Sequence, residues 1–181
     1  EIDFSELPNV NYRVLKKIVL INIKSPDDTL SRLEQVTEME NLESICIKKC
    51  DGLDLDPFFR NISNPEKIKS LTLTSKLPTL EIMSRYTNLE EIDVSMIKDS
   101  KKLIDFLNSL PLEKLKSLRI VSSDLNNLTD EIVNRLEKLE DIKLIANSNA
   151  NYNQIIQELP CKESLQRIYF ANINMNYNIF P

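Results

Sequence analysis

Residues 89–94 read Leu-Glu-Glu-Ile-Asp-Val: an aliphatic residue, two variable residues, an aliphatic residue, one variable residue and a closing apolar residue. The same six-residue motif occurs seven times, beginning at Leu15, Leu42, Ile68, Leu89, Leu115, Leu139 and Leu165. Successive copies begin 27, 26, 21, 26, 24 and 26 residues apart. A period of this length indicates one small structural unit that is stacked copy upon copy.

Each copy of the motif predicts a short β-strand. Its last apolar residues alternate with variable ones, and a period of two is typical of a strand with one buried face. In the second copy, for example, Ile45 and Ile47 should point inward while Ser44, Cys46 and Lys48 point outward. Seven such strands, all running in the same direction through equivalent units, predict a parallel sheet.

The segments between the strands predict helices. Their apolar residues follow helical spacing within 30–33, 103–110, 132–136 and 155–159. Residue types that favour helix starts are found at Ser25-Pro26, Asp56-Pro57, Ser100 and Thr129. The shortest spacing, from Ile68 to Leu89, predicts the briefest helix or a 3₁₀ turn between Leu77 and Tyr86. Strands and helices therefore alternate, which predicts the α/β class.

On these seven motifs the chain resembles the leucine-rich repeat family, and its longer copies with helical backs are similar to the ribonuclease-inhibitor-like and F-box-associated branches. The resemblance covers residues 15–173 and implies a solenoid of about seven repeats, a right-handed αβ superhelix with the sheet on its concave face and short helices on its convex face. The family pattern places Asn or Cys eight positions after each motif begins. Here Cys50 and Asn147 match it and Ser123 is acceptable, whereas the other copies carry Ile23, Lys76, Ile97 and Ile173.

The repeats predict one leucine-rich repeat domain over residues 1–181. Residues 1–14 form a partial repeat or N-terminal cap, residues 15–173 form the seven repeats, and residues 174–181 form an irregular tail. The chain begins at Glu1 rather than methionine and ends soon after the seventh strand. We therefore expect a fragment of a longer chain.

Composition argues against binding nucleic acid or a membrane. The 23 basic and 28 acidic residues give a net charge of −5, and the basic residues are scattered rather than gathered in a stripe. The longest apolar run, Ile18 to Ile21, is far shorter than the roughly 20 residues that cross a bilayer. We expect neither partner.

The residue types also argue against catalysis. The chain has no histidine, so histidine-assisted nucleophiles and histidine metal sites are excluded. Its single glycine, Gly52, cannot build a phosphate-binding loop. Cys46 and Cys50 should face opposite ways, Cys46 to the concave face and Cys50 into the repeat turn, which does not suit a zinc site. We predict a non-enzyme without a cofactor or metal.

The cysteine count favours a reducing compartment, and hence an intracellular, cytoplasmic protein. The three cysteines cannot form a complete disulfide framework. The alternative is a secreted or host-directed recognition domain, for which the glycosylation sequons at Asn61 and Asn127 are the motif-level support.

Stacked parallel strands align equivalent residues, so the candidate binding surface can be written from the motif. The central variable row should run Val19, Cys46, Thr72, Asp93, Arg119, Lys143, Tyr169. The row before it should run Lys17, Ser44, Ser70, Glu91, Ser117, Asp141, Arg167. Four aliphatic residues, Val19, Ile21, Val121 and Ile145, should also be apolar positions of the concave face.

The C-terminal half of this surface is the predicted partner site, because arginine and tyrosine are enriched at protein-interface hot spots. The residues assigned to it are Glu91, Asp93, Arg119, Lys143, Arg167 and Tyr169. The competing interpretation is that Arg119, Lys143, Glu91 and Asp141 only neutralise one another across neighbouring strands. We predict a protein–protein interaction scaffold that binds a protein partner through the concave face, as a subunit or substrate-recruiting part of a larger complex.

Overall fold

Seven parallel strands form one sheet, and their order in space is their order along the chain. The computed structural model describes residues 12–23, 39–50, 53–74, 76–122, 125, 128, 130–146 and 152–172. The strands are β1 Lys17–Ile21, β2 Ser44–Lys48, β3 Ser70–Thr74, β4 Glu91–Ile97, β5 Ser117–Ser122, β6 Asp141–Ala146 and β7 Arg167–Asn172. Each begins at the third position of a motif copy, so the seven predicted strands are confirmed.

The register of the sheet follows the repeat. Equivalent motif residues are paired at every junction, as in Ile45 with Leu71 and Ile120 with Leu144. Both rows written from the motif therefore lie across the sheet as predicted. At each junction the carbonyl of the second motif residue accepts two main-chain hydrogen bonds from the next copy; Lys16, for example, accepts from Glu43 at 2.8 Å and Ser44 at 3.0 Å.

From β2 onward, the described residues between the strands form five short α-helices. They are α1 Leu55–Arg60, α2 Leu80–Met83, α3 Ser100–Asn108, α4 Asp130–Asn134 and α5 Tyr152–Glu158, and short 3₁₀ turns span Tyr12–Val14, Pro65–Lys67 and Leu112–Lys114. The four-residue α2 falls inside the segment predicted to hold the briefest helix. The described part of the chain is thus an α/β fold of one parallel sheet and short helices.

Two predicted helix starts were wrong by one or two residues. Helix α1 is capped by the Asp54 side chain, which accepts from the main-chain N–H of Asp56, so Asp56-Pro57 lies inside the helix. Helix α3 is capped by Asp99, which accepts from the N–H of Lys102. In both cases an earlier aspartate supplies the carboxylate that an N-cap needs, and it is preferred over the predicted residue.

The helices pack on one face of the sheet, and the core lies between them. Alternate strand residues such as Ile45, Leu71 and Val94 are buried there. Three aromatic rings fill the space beneath α1 and α2: Phe58 and Phe59 meet edge to face at 5.1 Å, and Phe59 meets Tyr86 at 5.6 Å. The Tyr86 hydroxyl donates to the Phe59 carbonyl at 2.8 Å, and burial raises the pKa of Tyr86.

Strand β7 is less covered than the other strands. Its inward-facing Ile168 is 50% exposed, whereas the equivalent Ile142 of β6 is fully buried. Within the described residues β7 is the last strand, so β6 is the only strand that pairs with it; Tyr152 of α5 stacks on Phe170 at 4.7 Å and donates to the Ala171 carbonyl at 2.8 Å. Residues 1–11 of the predicted partial repeat or cap (1–14), the predicted helix start at Ser25-Pro26 and the tail at residues 174–181 lie outside the described residues.

Three left-handed residues share one repeat position. Asn22 and Lys49 directly follow β1 and β2, and Met96 lies within β4; each comes seven residues after its motif begins, and their φ angles are 57°, 54° and 62°. The family position that follows is varied here: Cys50 and Ile97 are buried, whereas Lys76 is exposed and donates to the Leu53 carbonyl at 3.3 Å. No regular asparagine ladder forms at these described exits.

At the opposite ends of the strands, where the chain enters the sheet, side chains donate hydrogen bonds to main-chain carbonyls. Asn41 donates to the Arg13 carbonyl at 2.7 Å, and Asn88 donates to the Glu66 carbonyl at 2.7 Å. Arg85 reaches the Arg60 carbonyl at 2.8 Å in the same way. Each of these bonds ties one repeat to the preceding one.

We expect Tyr86→Phe to lower the free energy of unfolding by about 1–2 kcal/mol, because it leaves the buried Phe59 carbonyl without its hydrogen bond. Urea denaturation followed by circular dichroism measures the change. Tyr169→Phe is the matched control, since its half-exposed hydroxyl faces solvent on the other side of the sheet. Equal stability of both variants would contradict a structural role for the Tyr86 hydroxyl.

Lys49→Gly is expected to raise the free energy of unfolding by about 0.5–1 kcal/mol, because a left-handed conformation strains any residue with a Cβ more than glycine's extra freedom destabilises the fold. The neighbouring Lys48→Gly should lower it by about 0.5–1 kcal/mol, since Lys48 is in extended conformation in β2. Parallel urea titrations of the two variants test the opposite signs. A loss of stability in both would rule out strain at Lys49.

Candidate functional site

One face of the sheet carries no helix among the described elements, and we call it the open face. It presents two rows that run across all seven strands, the entry row and the central row. The entry row is Lys17, Ser44, Ser70, Glu91, Ser117, Asp141 and Arg167; the central row is Val19, Cys46, Thr72, Asp93, Arg119, Lys143 and Tyr169. All of these side chains are exposed or half-buried, so none of them fills the core.

The chemistry of the open face changes between β3 and β4. The first three strands present mainly small neutral or apolar residues. They include Val19 at 41% exposure and, two residues further along β1, Ile21 at 54%. From β4 onward the two rows carry all six residues of the predicted partner site. The polar half is therefore continuous in space as well as in sequence order.

Two ion pairs cross neighbouring strands in this half. Arg119 Nη1 lies 3.2 Å from Asp93 Oδ2, and Arg167 Nη2 lies 2.9 Å from Asp141 Oδ2. The second oxygen of Asp93, Oδ1, is buried and accepts no hydrogen bond from the described residues. Each pair uses a single contact between one guanidinium nitrogen and one carboxylate oxygen, so the arginines keep further N–H donors.

Lys143 is held differently. Its Nζ lies 4.4 Å from the centroid of the Tyr169 ring, within the range of a cation–π contact. It forms no ion pair with any described residue. Tyr169 is 51% exposed and Lys143 is half-buried, so neither side chain is fully covered by the described residues.

The competing interpretation, mutual neutralisation, holds only in part. Arg119 and Asp141 are paired, but with Asp93 and Arg167 rather than with the residues first grouped with them. Glu91 is exposed on β4; the hydrogen bond with Glu90 is the main cause of the raised pKa of Lys116, and the charge of Glu91 adds to it. The apolar prediction also needs a correction: Val19 and Ile21 are exposed, whereas Val121 is half-buried and Ile145 is buried.

A ladder of alternating charge borders the open face, and the sequence reasoning missed it. The second residues of the seven motif copies are Lys16, Glu43, Lys69, Glu90, Lys116, Glu140 and Gln166. Glu43 lies 3.5 Å from Lys16 and 3.7 Å from Lys69, and Lys116 Nζ lies 2.7 Å from Glu90 Oε2. Aligning the second position of each copy would have revealed this alternation.

Hydrogen bonds in and near this ladder lower the pKa values of two carboxyl groups. The bond from Lys116 lowers the pKa of Glu90, and the same bond raises the pKa of Lys116. The bond from Arg135, whose Nε lies 2.9 Å from Glu113 Oε1, lowers the pKa of Glu113. Both hydrogen bonds therefore favour the ionised form of the carboxyl group, which makes the stability of the fold depend on pH.

No disulfide joins the three cysteines, and Cys46 and Cys50 do not converge. Cys46 is half-buried in the central row, whereas Cys50 is buried in the exit turn with its Sγ 3.3 Å from the Lys48 carbonyl. The predicted orientations are thus confirmed. Within the described ranges no three residues of the metal-binding types come together at a site.

The two sequons differ in what can be said of them. Asn61 ends α1, where its main-chain N–H donates to the Pro57 carbonyl and its side chain is half-buried. Asn127 lies outside the described residues. Asn61 is not among the residues of the open face.

No protein-family model matches this sequence, and no curated protein is significantly similar to it. Among the described helices none has the length and apolar character needed to cross a bilayer.

The two lowered pKa values predict an acid-dependent loss of stability. A carboxylate whose folded pKa is depressed stabilises the fold above its unfolded pKa, and this contribution is lost as the pH falls through the folded value. The double variant Glu90→Gln and Glu113→Gln should therefore lose less stability than the wild type below about pH 4.5, the ordinary glutamate value. Urea titrations from about pH 3 to 7 measure it.

The control for this pH profile is Glu137→Gln with Glu163→Gln, two exposed residues outside these ion pairs. It should retain the slope of the wild type. An equally shallow acid slope in the control would assign the effect to net charge rather than to the two hydrogen-bonded carboxylates.

Proposed function

We propose that this chain is a leucine-rich repeat solenoid that binds a protein partner across its open face, and that it acts as a subunit or substrate-recruiting part of a larger complex. The observation that carries the proposal is the open face itself. Seven aligned strands present two rows of side chains that the core does not use, and Val19, Ile21 and Tyr169 are large and exposed among or beside them.

The order and register of the strands support the solenoid. Every repeat contacts the preceding one through the same main-chain hydrogen bonds and the same motif positions. Strands pack about 4.8 Å apart, whereas helices need about 8–10 Å, so short helices behind a parallel sheet favour curvature with the strands on the inside. Parallel connections of this kind are right-handed in nearly all folds, which supports a right-handed superhelix.

The residue types support protein binding. A surface of strands is rigid, so little conformational entropy is lost when a partner docks on it. Arg119, Arg167 and Tyr169 are of the types that contribute most at interfaces, and they lie on β5 and β7, on either side of β6. Acidic and basic residues alternate there, which favours a partner of matching charge pattern over a uniformly charged one.

The proposal includes no catalytic step and places the protein in the cytoplasm. The chain has no histidine, the commonest general base, and its carboxylates on the open face are engaged in ion pairs or are exposed. The absence of a disulfide among Cys46, Cys50 and Cys161 supports a reducing compartment.

The test is affinity capture of the wild-type chain's partners from cells that express it, followed by mass spectrometry. The comparison is a triple variant, Arg119→Glu, Lys143→Glu and Arg167→Glu, whose folding is checked by circular dichroism. We expect a partner that the wild type retains and the folded triple variant loses, because reversing charge at an interface introduces like-charge repulsion.

The matched control reverses three cations away from the open face: Lys101→Glu and Lys102→Glu on α3, and Lys138→Glu in the turn before β6. It should retain the partner. A partner retained by the open-face variant and lost with this control would move the binding site to the helical side and contradict the proposal.

A further inference from the structure

We propose that Arg119 and Lys143 together form a binding site for one carboxylate side chain of an acidic partner segment. The inference rests on the proposed function and specifies the chemistry of its partner. Its basis is an arrangement that the fold alone does not require: two cations side by side in the polar half of the open face.

The register places the two residues in direct apposition. Arg119 of β5 is paired with Lys143 of β6, and both project from the open face. Neighbouring strands lie about 4.8 Å apart, and like charges at paired positions of a sheet are destabilising. The neighbouring positions are balanced instead, since Asp93 is paired with Arg119 and Asp141 with Arg167.

The side chains of the two cations contact groups on opposite sides. Arg119 reaches back to Asp93 on β4, and Lys143 reaches forward to the ring of Tyr169 on β7. Arg119 uses one contact of its guanidinium group, and Lys143 has no carboxylate among its described contacts. N–H donors on both therefore remain for an incoming anion, and a carboxylate shared between them would relieve their repulsion.

The surroundings favour a single carboxylate over a polyanion. Asp93, Asp141 and Glu91 lie on the same strands or the neighbouring one and would repel a chain of phosphates. A glutamate or aspartate side chain carries its charge at one point and can reach between them. An acidic side chain of a polypeptide therefore fits this site better than nucleic acid does.

An apolar surface adjoins the cation pair. Tyr169 is half-exposed in the next strand, and Val121, two residues after Arg119 on β5, is half-buried on the same face. A partner segment with an apolar residue beside its acidic residue would contact both. The predicted recognition unit is thus an acidic residue adjacent to an aliphatic or aromatic one.

The experiment uses two capped synthetic peptides, acetyl-Gly-Glu-Leu-Gly-amide and the isosteric acetyl-Gly-Gln-Leu-Gly-amide. Each is titrated into the ¹⁵N-labelled chain while main-chain amide signals are recorded by NMR. We expect the Glu peptide to shift the amides around Arg119 and Lys143, with a Kd about threefold to tenfold lower than that of the Gln peptide.

Two double variants separate the site from general charge. Arg119→Gln with Lys143→Gln should weaken binding of the Glu peptide about threefold to tenfold, to the level of the Gln peptide. Lys101→Gln with Lys102→Gln removes the same charge from exposed positions on α3 and should bind like the wild type. Unchanged amide signals elsewhere in each variant show that the sheet is intact.

Three results would overturn the inference: equal binding of the two peptides, equal loss in the two double variants, or larger shifts of the same amides with a single-stranded oligonucleotide at the same concentration. The proposed function has a separate readout. A captured partner that is lost with the charge-reversed triple variant but kept by Arg119→Gln with Lys143→Gln retains the scaffold function and refutes the carboxylate site.

Discussion

The structure depends on one main-chain contact that is repeated at every junction. The carbonyl oxygen of the second motif residue accepts N–H groups from two successive residues of the next copy, from Lys16 at the first junction to Glu140 at the last. A parallel pair that slipped by one residue would move the buried row to the open face, so this contact fixes both register and core. The charged ladder extends from the same residues, and in the wrong register its opposite charges would no longer be adjacent. Main chain and side chains therefore select one alignment.

The repeat made most of the fold predictable, because seven copies of a six-residue motif define strand number, direction, register and the faces of alternate residues. The features that sequence reasoning missed lie at positions where the repeat does not determine which of several nearby residues takes a given role. The N-caps are Asp54 and Asp99 rather than Asp56 and Ser100, because local geometry decides which of several suitable side chains near a helix start accepts a main-chain N–H. Ile145 occupies an outward position and is nevertheless buried, which the alternation of strand residues does not reveal.

The candidate site was predictable in its membership but not in its contacts. Row composition follows from register, so Asp93, Arg119, Lys143 and Tyr169 could be placed on adjacent strands from sequence. The carboxylate that each cation contacts could not be predicted from sequence, since an arginine side chain reaches carboxylates on either neighbouring strand at similar energy. Exposed ion pairs contribute only about 0.2–1 kcal/mol, and such small differences decide the pairing. The same small energies allow a partner to rearrange the pairs at little cost.

The two halves of the sheet differ in how the strands end, and this difference positions the charged surface. Strands β1 to β3 have five residues each, and β1 and β2 are followed by left-handed residues, Asn22 and Lys49. Strand β4 bulges between Ser95 and Ile97, around the left-handed Met96, and β5 to β7 continue for six residues each. The residue seven positions after the motif begins is extended in these later copies rather than left-handed; in β5 it is Ser122, whose buried hydroxyl donates to the Ile97 carbonyl at 3.4 Å. The later strands therefore support the open face over a greater length, and Arg119, Lys143, Arg167 and Tyr169 all lie on them. A rigid, extended platform holds long arginine and lysine side chains at fixed spacing, which is the condition under which charge placement can distinguish one partner from another.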